Sequence, residues 1–80
     1  MEVQILLFGI TTDLLNTKEL LITLEENSNV AEFKKMLSEK YPQLKSLPSY
    51  AVAVNEAYAD DSLLLKKNDI IAIIPPVSGG

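Results

Sequence analysis

Six residues close the sequence, Pro75-Pro76-Val77-Ser78-Gly79-Gly80, and they are the ones that could present a reactive group. Two prolines fix φ and lack an N–H, so neither a helix nor a central strand can run through them. Two glycines then finish the chain with no Cβ. The reading is a stiffened stalk bearing a slim carboxylate, with a reach of roughly 20 Å when fully stretched. That is enough to enter a pocket on another protein. A carboxylate is a poor acyl donor until it is activated. Joined to AMP as a mixed anhydride, its carbonyl becomes open to attack, and a sulfur or nitrogen nucleophile can expel the nucleotide. Glycine suits this task because an enzyme pocket can close around a backbone that carries no side chain. So labile an anhydride also needs water kept out.

Other chemistry is hard to build from this composition. The chain has no cysteine and no histidine, which removes the ordinary nucleophile–base pairs and a zinc site. Asp60-Asp61 and Glu25-Glu26 are adjacent carboxylates, but acid–base pairs need opposed environments to split their pKa values, so both read as solvated charge. Lys66-Lys67 reads as a solvated corner. Gly9 stands alone, without a glycine-rich phosphate cradle around it. A net charge of −4 repels phosphate backbones, which argues against nucleic acid or an anionic membrane and for a protein partner with a basic cleft. Hydrophobic residues make up 48% of only 80 residues. A domain this small cannot hide that many, so an exposed apolar patch is expected, the usual mark of an interface. No apolar run is long enough to span a bilayer, and Met1-Glu2 leads straight into a strand, so a cytoplasmic protein is expected.

The elements that would position the stalk follow from periodicity. Val3 to Phe8 is apolar on both faces, as in a central strand covered on both sides, or on one side by a partner. Gly9 breaks it, and Thr11 to Asn16 is a short connection with room for one helical turn. Glu19 to Glu25 resumes strand character and pairs antiparallel with the first strand. Asn29-Val30-Ala31-Glu32 is a helix start in which the asparagine caps and the glutamate three residues on reaches back. Val30, Phe33, Leu37 and Tyr41 form the apolar stripe, with Met36 and Leu44 near its edge. Pro42 closes the helix. Ala51 to Val54 is a strand, Asn55-Glu56 turns it, and Ala57-Tyr58 pairs back. Asn68 suits a left-handed turn position. Ile70 to Ile74 is continuous and β-branched and is expected to be buried on both faces. One helix on one face of a mixed sheet is an α+β layer arrangement. If the last strand runs parallel beside the first, the fold is a β-grasp, the ubiquitin-like arrangement. Residues 1–74 then form the domain and 75–80 a protruding tail.

The sequence from Leu65 to Gly80 resembles the MoaD family, small sulfur-carrier subunits of molybdopterin synthase, and the likeness extends over the whole chain. Asp69 to Gly80 follows the family's apolar strand and Pro-Pro-Val-Ser/Thr-Gly-Gly end position by position, with Asn68 in place of the usual glycine. Ala53-Val54-Asn55 also matches. Ile74 stands where some relatives carry an aromatic. The resemblance implies a carrier cycle in which this chain is a non-catalytic subunit that donates sulfur. A MoeB-like, E1-type enzyme uses ATP to adenylate Gly80, and a sulfurtransferase system converts the adenylate to a thiocarboxylate. Docked into a MoaE-like large subunit, in a heterotetramer of two small and two large chains, the tail delivers sulfur to cyclic pyranopterin monophosphate. In that picture Gly79 gives clearance, Pro75 and Pro76 direct the tail, and Val77 and Ser78 contact the channel. Phe8, Tyr58 and Ile74 are candidates for the apolar docking face, against ordinary core placement. No cofactor is expected on the chain itself.

Two other fates share the same activation step. A ThiS-like carrier for thiamine synthesis also ends in Gly-Gly on this fold, though usually without Pro-Pro-Val before it. A ubiquitin-like modifier would attach the same carboxylate to lysines on targets.

Overall fold

In the computed structural model, which describes residues 1–47 and 49–76, the chain order is β1 (Glu2–Leu7), α1 (Ile10–Leu15), β2 (Glu19–Thr23), α2 (Val30–Lys40), a 3-10 helix (Pro42–Ser46), β3 (Ala51–Val54), β4 (Ala57–Tyr58) and β5 (Ile70–Ile74). The five strands form one sheet in the order β2-β1-β5-β3-β4. β1 pairs antiparallel with β2 and parallel with β5, with Leu7 opposite Ile73. This is the α+β, β-grasp arrangement expected from the order of elements.

α2 begins where its caps dictate. Asn29 Oδ1 accepts from the Glu32 N–H at 2.9 Å, and Glu32 Oε1 accepts from the Asn29 N–H at 3.1 Å. The first-turn N–H groups of Val30 and Ala31 find the carbonyls of Leu63 and Asp61. The donors that a helix start leaves without intrahelical partners are thereby satisfied. Val30, Phe33 and Leu37 are fully buried and join Val3, Ile5, Leu7, Ile22, Val52, Val54, Ile71 and Ile73 in one hydrophobic core. Burying such side chains is the main term holding so small a domain together.

Three expectations need correction. β5 is covered on one face only: Ile71 and Ile73 are buried, Ala72 and Ile74 half-buried, and Ile70 exposed. The same alternation in β1, with Leu6 half-buried between Ile5 and Leu7, decides between the two readings of that strand. Helix α2 lies on one side, and among the described residues no helix covers the other. Second, Pro42 does more than end α2. With Tyr41 as C-cap of α2, Pro42 opens the 3-10 helix, where its missing N–H costs nothing. Leu44 on that turn is buried in the core. Third, β1 stops at Leu7 and β2 at Thr23, so Phe8 and Glu25 lie outside the strands.

Candidate functional site

The parallel pairing of β1 and β5 sets the geometry of the site, because both strands end at the same edge of the sheet. The register that places Leu7 opposite Ile73 brings the next residues, Phe8-Gly9 and Ile74-Pro75, together. Pro75 is half-buried against the β1–α1 loop, and a Cβ built on Gly9 would lie 3.0 Å from Pro75 Cγ. Pro76 is exposed. Val77, Ser78, Gly79 and Gly80 lie outside the described residues.

The loop that meets the stalk is held tightly. Thr11 is fully buried, and its hydroxyl both accepts from the Phe8 N–H at 3.1 Å and donates to the Phe8 carbonyl. Thr12 Oγ1 donates to the Leu7 carbonyl at 3.2 Å, and the Thr12 N–H donates to the Gly9 carbonyl at 3.1 Å. Gly9 itself sits at φ 55, ψ −135, a conformation that only glycine adopts without cost. Phe8 is left 48% exposed beside a shallow depression lined by Leu6, Gly9, Thr12, Lys18 and Glu19.

From this edge the open face runs across the sheet. Strand register aligns Glu19, Leu6, Ala72, Ala53 and Tyr58 in one row on that face. Tyr58 is 76% exposed. Ile74 flanks the row beside Ala51, and Ile70 lies on its other side. The alanines keep the middle shallow, and the large side chains stand around them. The three candidate docking residues thus share this face, but not one spot. Ile74 is next to Phe8, whereas Tyr58 is on the far edge strand, three strand spacings or roughly 14 Å from Leu6. Ordinary core placement is ruled out for Phe8 and Tyr58 by their exposure, and Ile74 is half-buried.

The face also contains residues that were not singled out as candidates. Leu21 on β2 is 66% exposed and Ile70 is 43% exposed, and Leu6 and Ala72 are half-buried among them. Their signal lay in strand parity: each is an apolar residue out of phase with the core positions of its own strand. Contiguous exposed apolar patches of this kind are typical of surfaces that other proteins cover.

The charged clusters do separate, local work. Asp60 Oδ1 accepts from the Ser62 N–H at 3.0 Å and from its hydroxyl at 2.7 Å, bonds that hold the Asp60 carboxyl below its usual pKa. Asp61 instead pairs with Lys34 at 2.9 Å. The two carboxylates do not converge, so they form no acid–base pair. No helix among the described residues is long and apolar enough to cross a membrane.

A model of the ThiS family matches residues 5–80, almost the entire chain and including the terminal Gly-Gly. The chain belongs to the ThiS family. Within the family it is 35% identical over 80 residues to a molybdopterin synthase sulfur carrier subunit from Arabidopsis thaliana, covering 99% of this chain and 83% of the relative. A solved complex of subunits 1 and 2 of the molybdopterin-converting factor from Helicobacter pylori contains a chain that is 30% identical to this one. The match covers 100% of both chains at a TM-score of 0.73. The small archaeal modifier protein 1 of Methanosarcina acetivorans is 28% identical at a TM-score of 0.78, covering 99% of this chain and 96% of its own.

Proposed function

We propose that this ThiS-family chain is the sulfur-carrier subunit of a molybdopterin synthase, with residues 1–74 as the docking domain and 75–80 as the reactive tail. The carboxylate of Gly80 attacks the α-phosphorus of ATP on an E1-like, MoeB-type enzyme, and pyrophosphate leaves. Sulfide-level sulfur supplied by a sulfurtransferase system attacks the acyl carbon and displaces AMP, leaving the terminus as a thiocarboxylate. Docked on a MoaE-like large subunit, the thiocarboxylate sulfur bonds to cyclic pyranopterin monophosphate. Water then cleaves the acyl–sulfur bond, leaving sulfur on the pterin and returning the tail as a carboxylate. Two such deliveries build the dithiolene of molybdopterin. We place this cycle in the cytoplasm, and since ATP is bound by the partner enzyme, the chain itself needs no cofactor.

The observation that carries this reading is the match to a sulfur carrier subunit over 99% of the chain, together with a ThiS-family match that runs to Gly80 and so takes in Pro75-Pro76-Val77-Ser78-Gly79-Gly80. The open apolar face supports it, since a carrier must dock on two enzymes in turn. In the test, the chain is incubated with ATP, the activating enzyme and a sulfur source, and its intact mass is measured. The expected result is a gain matching one oxygen replaced by sulfur, localised to the C-terminal peptide. Synthase activity that survived deletion of Gly79-Gly80 would overturn the reading.

A second reading, protein modification, is favoured by the likeness to the archaeal modifier. Its activation step is the same. Covalent ladders on target lysines, in place of a sulfur-bearing small molecule, would decide for it. The thiamine route is separated by phenotype: loss of the carrier should abolish molybdoenzyme activity without creating a need for thiamine.

A further inference from the structure

We propose that Gly9 is a positioning residue for the carboxy-terminal stalk: its missing side chain lets Pro75 seat against the β1–α1 loop, and that seat fixes where Pro75-Pro76 leave the sheet. This inference rests on the carrier reading above. Three observations carry it. The first is proximity, since a methyl on Gly9 would stand 3.0 Å from Pro75 Cγ, closer than the roughly 3.5–4.0 Å of packed carbons. The second is conformation. At φ 55, ψ −135 a side chain of L chirality is strained whatever the space around it.

The third observation is that the loop cannot retreat. The hydroxyl of Thr11 holds both backbone polar groups of Phe8, while Thr12 holds the carbonyls of Leu7 and Gly9. Added bulk at Gly9 therefore presses on Pro75, whose φ is fixed and whose ring can yield at Cγ only by changing pucker. A terminus that has to thread an activating enzyme's pocket depends on where its base is anchored. Misplacing a reacting group by about 1 Å is enough to slow a reaction severely. The loop is thus an abutment for the stalk.

The test is a double-mutant cycle of Gly9→Ala, Pro75→Ala and the pair, read by ATP–pyrophosphate exchange with a MoeB-type enzyme while the carrier is titrated. Gly9→Ala is expected to raise the KM for the carrier on the order of tenfold. The amide resonances of β2 and α2 should stay in place, and the pair should lose less than the product of the two single losses. A purely structural role would lower thermal stability without moving KM. Such a result, or losses that simply multiply, overturns the proposal. An independent measurement covers a Gly9→Ala chain that fails to fold: the native protein should show a nuclear Overhauser contact between Gly9 Hα and Pro75 Hγ, and its absence overturns the seat. A native chain inert in exchange would instead sink the carrier reading, and the positioning role with it, so the native control tells the two failures apart.

Discussion

Asn55 and Asp69 lock the β3–β4 turn onto the start of β5. Asn55 Nδ2 donates to Asp69 Oδ1 at 3.0 Å, while Asn55 Oδ1 accepts from the Ile70 N–H at 3.0 Å. The second carboxylate oxygen of Asp69 accepts from the Lys66 N–H at 2.7 Å. Asp69 is buried, so removing it leaves the Asn55 amide and the Lys66 N–H without their acceptor, while removing Asn55 takes a donor from the buried carboxylate and the acceptor from the Ile70 N–H. Asn55→Ala and Asp69→Ala should each cost about 1–3 kcal/mol. Because both remove the same contact, the double variant should lose less than the sum by at least about 0.5 kcal/mol. Urea denaturation of the four proteins checks this, and strictly additive losses would reject the coupling.

The residue after Asn55 is in the wrong chemistry for its conformation. Asn55 and Glu56 both have positive φ, 50 and 72, as a two-residue hairpin turn of this hand requires. Asparagine tolerates that region; glutamate gains nothing there, and its side chain is exposed. Glu56→Gly should therefore stabilise the protein by about 0.5–1 kcal/mol. The readout is the urea midpoint at an unchanged slope. A lower midpoint would mean that Glu56 makes a contribution beyond the turn.

Tyr50 makes stability depend on pH at the alkaline end. Burial raises its phenol above the ordinary value, with a hydrogen bond to Ser38 and the charge of Lys34 pulling the other way; Lys34 Nζ stands 6.0 Å from the ring centroid. The folded state thus holds the phenolic proton more tightly than the unfolded chain does. The stability this contributes is fully present below the unfolded value of about 10. It is lost as pH rises through the higher folded value. Melting temperatures followed from pH 8 to 11 should fall more steeply for the native protein than for Tyr50→Phe. Parallel curves would remove Tyr50 from the account.

Much of this fold was legible because local and global preferences agree. Asn29 and Glu32 sit at the spacing of a capping box and form one. Val30, Phe33 and Leu37 recur at helical spacing and are buried. Asn68 takes the left-handed turn before β5 at φ 68. What could not be read depends on distant partners. A β-branched run such as Ile70 to Ile74 looks the same whether a helix or another protein covers its second face. Pro42 stops one helix and starts another turn with the same fixed φ, and only the burial of Leu44 reveals the second role. Thr11 has no periodic signature at all, since its value lies in a hydroxyl that clasps Phe8. The meeting of Gly9 with Pro75 depends on the parallel register of β1 and β5, which no local pattern encodes.

The open sheet face makes a prediction that separates binding from folding. Tyr58 and Leu21 are largely exposed at opposite edges of the face, so Tyr58→Ala and Leu21→Lys should change stability by no more than about 0.5 kcal/mol. If the face docks on a large synthase subunit, the aromatic anchor should matter far more there. Tyr58→Ala should then weaken association by at least about tenfold, or about 1.4 kcal/mol. Lys40→Ala, on the exposed end of α2 behind the sheet, should bind like the native chain. Leu21→Lys reports how far the contact extends towards β2, because Leu21 lies opposite Gln4 and beyond the row that carries Leu6 and Ala72. Calorimetric titration of the four proteins into the large subunit gives the comparison. Equal affinities for Tyr58→Ala and Lys40→Ala would move the docking surface away from this end of the sheet, to the edge where Phe8 and Ile74 flank the stalk.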